Sequence, residues 1–191
     1  AGGVKLGVAF LDNPPSTLRN RIIAGMNVWG THGANIRFTE ASLSTAEVRI
    51  ARGNSGYWSY VGTGILSVRQ GATMNLQGFT INTSDAEFKR VLYHETGHSA
   101  GCPHEHMRQE IVARLDRAKT IAYFQRTQGW SAQEVQQQGL TPLNERSLLN
   151  PGGALPPADH TSIMTYQLPG SITIDGRPIV GGNDINETDF A

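Results

Sequence analysis

Residues 94–106 read HETGHSAGCPHEH, which places four of the chain's six histidines and two glutamates within thirteen positions. His94 and His98 are four apart, so on a helix both imidazoles face the same way and are close enough to share one ion. Glu95 lies about 100° around that helix. It is badly placed as a third equatorial ligand but can reach a water beside the ion, where a general base belongs. A catalytic zinc site takes three protein ligands and keeps one position open. If the helix continued, His104 would point roughly 240° away from His98. Gly101 is therefore predicted to end it in a left-handed conformation and to turn the following residues back towards the ion, and Pro103 reinforces the stop. With this composition a chance His-Glu-x-x-His has odds of about 1 in 100, and extension through Gly101 and His104 lowers them to roughly 1 in 30,000. A closed structural zinc site prefers four ligands, often cysteines, and Cys102 is the single cysteine of the chain.

Working outward, the same helix is predicted to open at Ser84, with Glu87 completing a capping box and Phe88, Val91 and Leu92 forming an apolar face. Upstream, Val4 to Leu11 reads as a strand. Ser16-Thr17 reads as the cap of a helix that carries Leu18, Ile22, Met26 and Trp29 and ends at Gly30. Ile36-Arg-Phe and Val48-Arg-Ile alternate as half-buried strands do, and Met74-Asn-Leu fits a further strand between Gly71 and Gly78. That last strand, Ala72 to Leu76, is expected to be a sheet edge on which an extended substrate adds through main-chain hydrogen bonds, with Ala72, Met74 and Leu76 lining it. Gly62-Thr-Gly64 is no dinucleotide loop, because the third glycine and a clear following helix are missing. Downstream, 113–125 and 131–138 read as helices, the second with its own Ser-x-x-Glu box, and 150–160 reads as a loop.

The whole chain bounds the answer. Its 191 residues suffice for a real core, and sixteen basic against sixteen acidic side chains leave no electrostatic footprint for nucleic acid or an anionic membrane. Apolar runs such as residues 8–11 are far shorter than the roughly twenty residues a membrane-spanning helix needs. One cysteine cannot form an internal disulfide. No charged-then-apolar leader precedes Ala1, so the protein is either cytosolic or has lost a targeting segment. Asn82-Thr-Ser84 and Asn186-Glu-Thr188 are glycosylation acceptors only on a eukaryotic secretory route.

Residues 94–104, taken with SIMTY at 162–166, resemble the metzincin metallopeptidases, whose signature HExxHxxGxxH is followed by a methionine turn. Tyr166, HEH at 104–106 and YWSYVG at 57–62 look like motifs of the astacin family within that clan. The resemblance implies an α+β fold forming one catalytic domain over residues 1–191. A small twisted mixed β-sheet with helices would make an upper lobe, about 1–101, and a sparse, irregular lower lobe would occupy about 102–191, with a zinc cleft between. It implies one zinc per chain on His94, His98 and His104, with Tyr166 as an additional ligand near the developing oxyanion. Glu95 would be the general base, and Gly101 and Met164 would shape the site. The implied activity is hydrolysis of internal bonds in peptide or protein substrates by a secreted enzyme, with an inhibitory pro-segment outside this chain. A matrixin-like metzincin in which Tyr166 is incidental, and a latent zinc-binding protein without turnover, are the alternatives.

Animal astacins carry two disulfides that this chain cannot form, which points to a bacterial or divergent relative. In the family a freed N-terminal amine reaches the glutamate after the third histidine, here Glu105, whereas only three residues precede Val4. INETDFA at 185–191 looks like the start of the family's last helix. His106 reads as structural or solvent-facing, and Cys102 as a packed residue or an inhibitory thiol near the zinc. Arg177, on IDGRPIV, either lines the pocket for the residue after the scissile bond, favouring acidic side chains, or is an exposed loop arginine.

Overall fold

Strand β1 (Val4–Phe10) leads into helix α1 (Ser16–Met26), then β2 (Ile36–Glu40), β3 (Val48–Ala51), β4 (Tyr57–Ser59), the single turn α2 (Gly64–Ser67), β5 (Met74–Leu76) and the long helix α3 (Asp85–Ala100). Short helices α4 (Gln109–Val112), α5 (Arg117–Gln128) and α6 (Ala132–Val135) follow. This computed structural model describes residues 3–190 apart from 33 and 150–152. Two compact units emerge, 1–103 with 183–191, and 104–182.

The first unit is built on a sheet of order β2-β1-β3-β5-β4, parallel except for the antiparallel β4–β5 pair. Val8, Ile50, Met74 and Leu76 are wholly buried in it, and Ile22, Met26 and Leu92 from α1 and α3 are equally buried. The two helices approach so closely at Gly25 that a Cβ there would lie 2.5 Å from Leu92 Cδ2, which is why a glycine interrupts the apolar face. Helix α1 does not use Ser16-Thr17 as its cap. Pro15 occupies the N-cap, its carbonyl accepting from the Leu18 and Arg19 amides, and past Met26 the chain continues as a 3₁₀ turn over Asn27–His32, beyond Gly30. Asn27 explains that extension: its amide nitrogen donates to Phe38 O (2.8 Å) while its oxygen accepts from Phe38 N (2.9 Å), standing in for a strand partner of β2.

Two expectations for the sheet are overturned. Strand β3 does not alternate between core and solvent: Arg49 is buried, and its guanidinium donates to the carbonyls of Gly71 (2.7 Å), Ala46 (2.9 Å) and Val68 (2.6 Å), which replace water. Strand β5 is not an edge. Both of its sides are paired, to β3 and β4, and Met74, Asn75 and Leu76 are buried, so Ala72, Met74 and Leu76 offer no free main-chain ladder to a substrate. The edge is β4. A one-turn helix, α2, also follows Gly62-Thr-Gly64, though four residues are too few for the phosphate-binding terminus that motif would need.

The second unit has helices and turns around a core of Ile111, Leu115, Phe124, Val135, Leu168 and Ile179, with Trp130 stacked on Phe124 at 5.0 Å. Among the described residues its only strand-like pairings are the isolated bridges Leu115 with Thr173 and Leu168 with Ile179. Helix α5 starts at Arg117, later than expected, because Leu115 is engaged in its bridge and Asp116 caps the helix, accepting from Lys119 N at 3.0 Å. Ser131 and Glu134 do form a complete capping box, after which Gln136–Leu140 widens into a π-helical turn. The 185–191 segment holds a 3₁₀ turn, Thr188–Phe190, with the Phe190 ring edge-on to Trp29 at 5.8 Å in the first unit.

On the surface, Arg114 grips both oxygens of Asp175 (3.0 and 3.2 Å) and the Arg177 amide adds a third bond (3.0 Å). The Arg114 hydrogen bonds, then the Arg177 amide, hold the Asp175 carboxyl down at about 2 from 3.8. A depressed acid stabilises the fold above its unfolded pKa and loses that contribution as pH falls through the folded value. Asp175→Asn should therefore lower the urea midpoint at pH 6, and the difference from wild type should shrink below pH 4 and vanish only below about pH 2. A difference independent of pH would contradict this pairing.

Candidate active site

Helix α3 presents the first two histidines because its ends are fixed. Ser84 Oγ accepts from Glu87 N (3.3 Å), but the capping box stays half-made, since the Glu87 carboxylate engages Arg90 (3.1 Å) and the Tyr57 hydroxyl (3.1 Å). At the other end Gly101 takes φ 108°, and the amides of Gly101 and Cys102 return to the carbonyls of His98 and Gly97. A side chain at that φ would be strained, so the glycine that redirects the chain towards His104 is required by the backbone itself.

One ring nitrogen from each of His94, His98 and His104 lies within 4.8 Å of the others. The rings of His94 and His98 meet edge to face at 4.7 Å. His98 Nδ1 is 2.8 Å from the Cys102 carbonyl, which can only accept, so Nδ1 carries the hydrogen and Nε2 keeps a lone pair for a metal. Burial pushes the His98 pKa down and so favours this neutral form. Glu95 is 5 % exposed, and burial pushes its carboxyl up to about 8, with Arg90 opposing. Its Oε2 has no hydrogen-bond partner among the described residues. Three converging imidazoles with a buried, unsatisfied carboxylate in the same helical turn fit a divalent zinc ion and its water.

His104 is joined to the methionine turn through its neighbour, because Glu105 N donates to Met164 O at 3.0 Å. Ser162 closes that turn, its Oγ accepting from Met164 N (2.9 Å), and Met164 is buried. Gly182 and Gly181 pack on it, where a Cβ would lie 2.5 Å from Ile163 N and 2.7 Å from Thr165 O respectively. The Tyr166 ring touches both His104 (4.6 Å between centroids, tilted 58°) and His106 (4.1 Å, 18°), and those two imidazoles are themselves 4.7 Å apart. His106 is wholly buried, which leaves the structural reading of it.

Sequence reasoning missed Arg108. It is 4 % exposed and donates to Glu105 (3.0 Å), Glu145 (2.8 Å) and the Pro156 carbonyl (2.5 Å), bracing the turn after His104. The only sequence signal was the Glu105-x-x-Arg108 spacing. Glu105 also accepts from Asp159 N (3.0 Å); Ala1, the terminal amine considered for Glu105, lies outside the described residues. Arg177 sits on the exposed 175–177 turn, and Cys102 is half-buried, its carbonyl orienting His98.

The family model for Astacin, a peptidase family, matches residues 8–171. The chain belongs to the astacin family. It is a zinc metalloendopeptidase of that family, and the match removes the matrixin-like alternative. Two solved structures of myroilysin are similar. One has a TM-score of 0.85 and 26 % identity, covering 100 % of this chain and 90 % of that one. The other has a TM-score of 0.68 and 28 % identity, covering 99 % and 80 %. High choriolytic enzyme 1, a hatching enzyme zinc-protease from Oryzias latipes (Medaka fish), shares the fold at a TM-score of 0.63 and 19 % identity, over 99 % of this chain and 86 % of that one. A comparison with curated protein sequences gave no match. Among the described residues of this astacin-family chain, no helix is long and apolar enough to cross a membrane.

Proposed function

We propose that the chain holds one zinc ion on His94, His98 and His104 and cleaves internal peptide bonds with Glu95 as general base and Tyr166 as oxyanion donor. The observation that carries this is the histidine triad beside a buried Glu95 carboxylate whose Oε2 lacks a partner among the described residues. When bound, zinc supplies a Lewis acid for the scissile carbonyl and lowers the pKa of a coordinated water towards neutrality. Glu95 takes a proton from the attacking water as the new C–O bond forms and delivers it to the departing nitrogen as the C–N bond breaks. Burial, against the opposing charge of Arg90, raises the Glu95 carboxyl to about 8, which makes it avid for that proton. Met164, buried in its closed turn, is tied through its carbonyl to Glu105, the residue after His104. Family membership supports an extracellular setting. Cleavage of a casein-type substrate that stops with chelator tests the proposal; zinc-loaded protein that cleaves nothing would favour the latent alternative.

Tyr166 donates its hydroxyl to the charge that develops on the carbonyl oxygen. That bond forms mainly in the transition state, so Tyr166→Phe should lower kcat about 100-fold and leave KM and zinc content nearly unchanged. Steady-state kinetics with metal analysis checks this, and a wild-type kcat would reduce the tyrosine to packing.

The substrate main chain adds to the outer edge of β4, which pairs with β5 on its other side. That edge is fastened to the ligand helix: Gly62 N donates to His98 O at 2.8 Å, and the hydroxyls of Ser59 and Ser99 meet at 3.0 Å. Gly62 has φ 51°, and a Cβ there would lie 3.2 Å from Gly101 Cα. Gly62→Ala therefore carries about 1–2 kcal/mol of backbone strain and should raise KM several-fold while zinc stays bound. Unchanged kinetics would place the substrate elsewhere.

A further inference from the structure

His106 is a wholly buried imidazole that the proposed chemistry does not use. Its Nε2 lies 3.2 Å from the Gln138 carbonyl in the π-helical turn, and since a carbonyl only accepts, Nε2 carries the hydrogen. Three residues past that π turn, Leu143 N donates to Met107 O at 2.9 Å. The imidazole plane is thus fixed from its polar edge. Its flat face lies against the Tyr166 ring at 4.1 Å and 18°, closer and more nearly parallel than His104 at 4.6 Å and 58°. On the main chain, Glu105 N to Met164 O ties the turn bearing His106 to the turn bearing Tyr166. One three-residue 3₁₀ turn, Glu105–Met107, therefore meets the methionine turn through both backbone and ring.

We infer that His106 is a positioning residue for Tyr166, its imidazole face being the platform that fixes the plane in which the phenol presents its hydroxyl. A near-parallel stack resists tilting of the ring but lets it slide in its own plane, so the hydroxyl can shift without losing the contact. The donor to Gln138 secures the polar edge of the imidazole, while the positioning itself is carried by the buried ring face. This rests on the oxyanion role proposed for Tyr166.

Two substitutions separate the parts. His106→Gln keeps a donor for Gln138 and removes the ring; His106→Phe keeps the ring and removes the donor. His106→Gln should lower kcat roughly 10-fold, about the worth of one aromatic stack, with KM and zinc content close to wild type. His106→Phe should retain most of the activity. In a Tyr166→Phe background, His106→Gln should cost no further kcat, because a residue that acts only through the tyrosine hydroxyl has nothing left to position. A second readout needs no turnover: the Tyr166 contribution to near-ultraviolet circular dichroism of metal-free protein, taken as wild type minus Tyr166→Phe, should persist with His106→Phe and collapse with His106→Gln. An equal kcat loss from His106→Gln in both backgrounds, or equal losses from Gln and Phe, overturns the inference while leaving the tyrosine's role intact. Tyr166→Phe at the wild-type rate overturns that role, and the inference with it.

Discussion

Glu95→Gln is expected to bind zinc and melt like the wild-type protein while hydrolysing peptides about 1000-fold more slowly or worse. The amide matches the carboxylate in shape, so the α3 surface should survive the change. It cannot accept the proton of the attacking water, and that is the loss the rate reports. Burial sharpens the expectation, because Glu95 is 5 % exposed and its carboxyl pKa is raised by burial, with Arg90 opposing. Zinc content and turnover must therefore separate. A variant that stays within a few-fold of wild type would assign the base to another group.

His104→Ala should act in the opposite way, losing metal and activity together. The groups that merely orient a metal ligand are worth about 10–100-fold in affinity, so removing the ligand itself should weaken zinc by more than about 100-fold. Helix α3 ends at the Gly101 cap before His104 and does not depend on this side chain, so the variant should still fold with His94 and His98 presented. Equilibrium dialysis against buffered zinc, read beside peptide cleavage, checks both halves. Full zinc occupancy with full activity would remove His104 from the ligand set.

These sites were legible because each rests on local rules. The four-residue spacing of His94 and His98 is a helical repeat, Ser84 caps the helix, and Gly101 takes the one conformation that a glycine favours and that redirects the chain. Edge and interior were not legible. Strands β4 and β5 are three residues each, too short for periodicity to distinguish a strand paired on one side from a strand paired on both. Arg49 misled for a related reason: a charge in a strand reads as solvent-facing, and its actual partners are carbonyls of a distant loop. The 104–182 unit was the least readable, since apart from α5 it relies on single-turn helices, a π turn and isolated bridges, none long enough to leave a repeat. The contacts of Arg108 with Glu145 and Pro156 and the stack of His106 on Tyr166 are tertiary and had no pattern to announce them.

The central claim is that one metal ion on three histidines makes this chain a peptide hydrolase. Titrating zinc into chelator-stripped protein, while following cleavage of a fluorogenic peptide, tests it most directly. Activity should rise in proportion to added zinc and stop rising at one equivalent per chain. Cleavage that survives complete removal of the metal, or fully loaded protein that cleaves no peptide, would contradict the account.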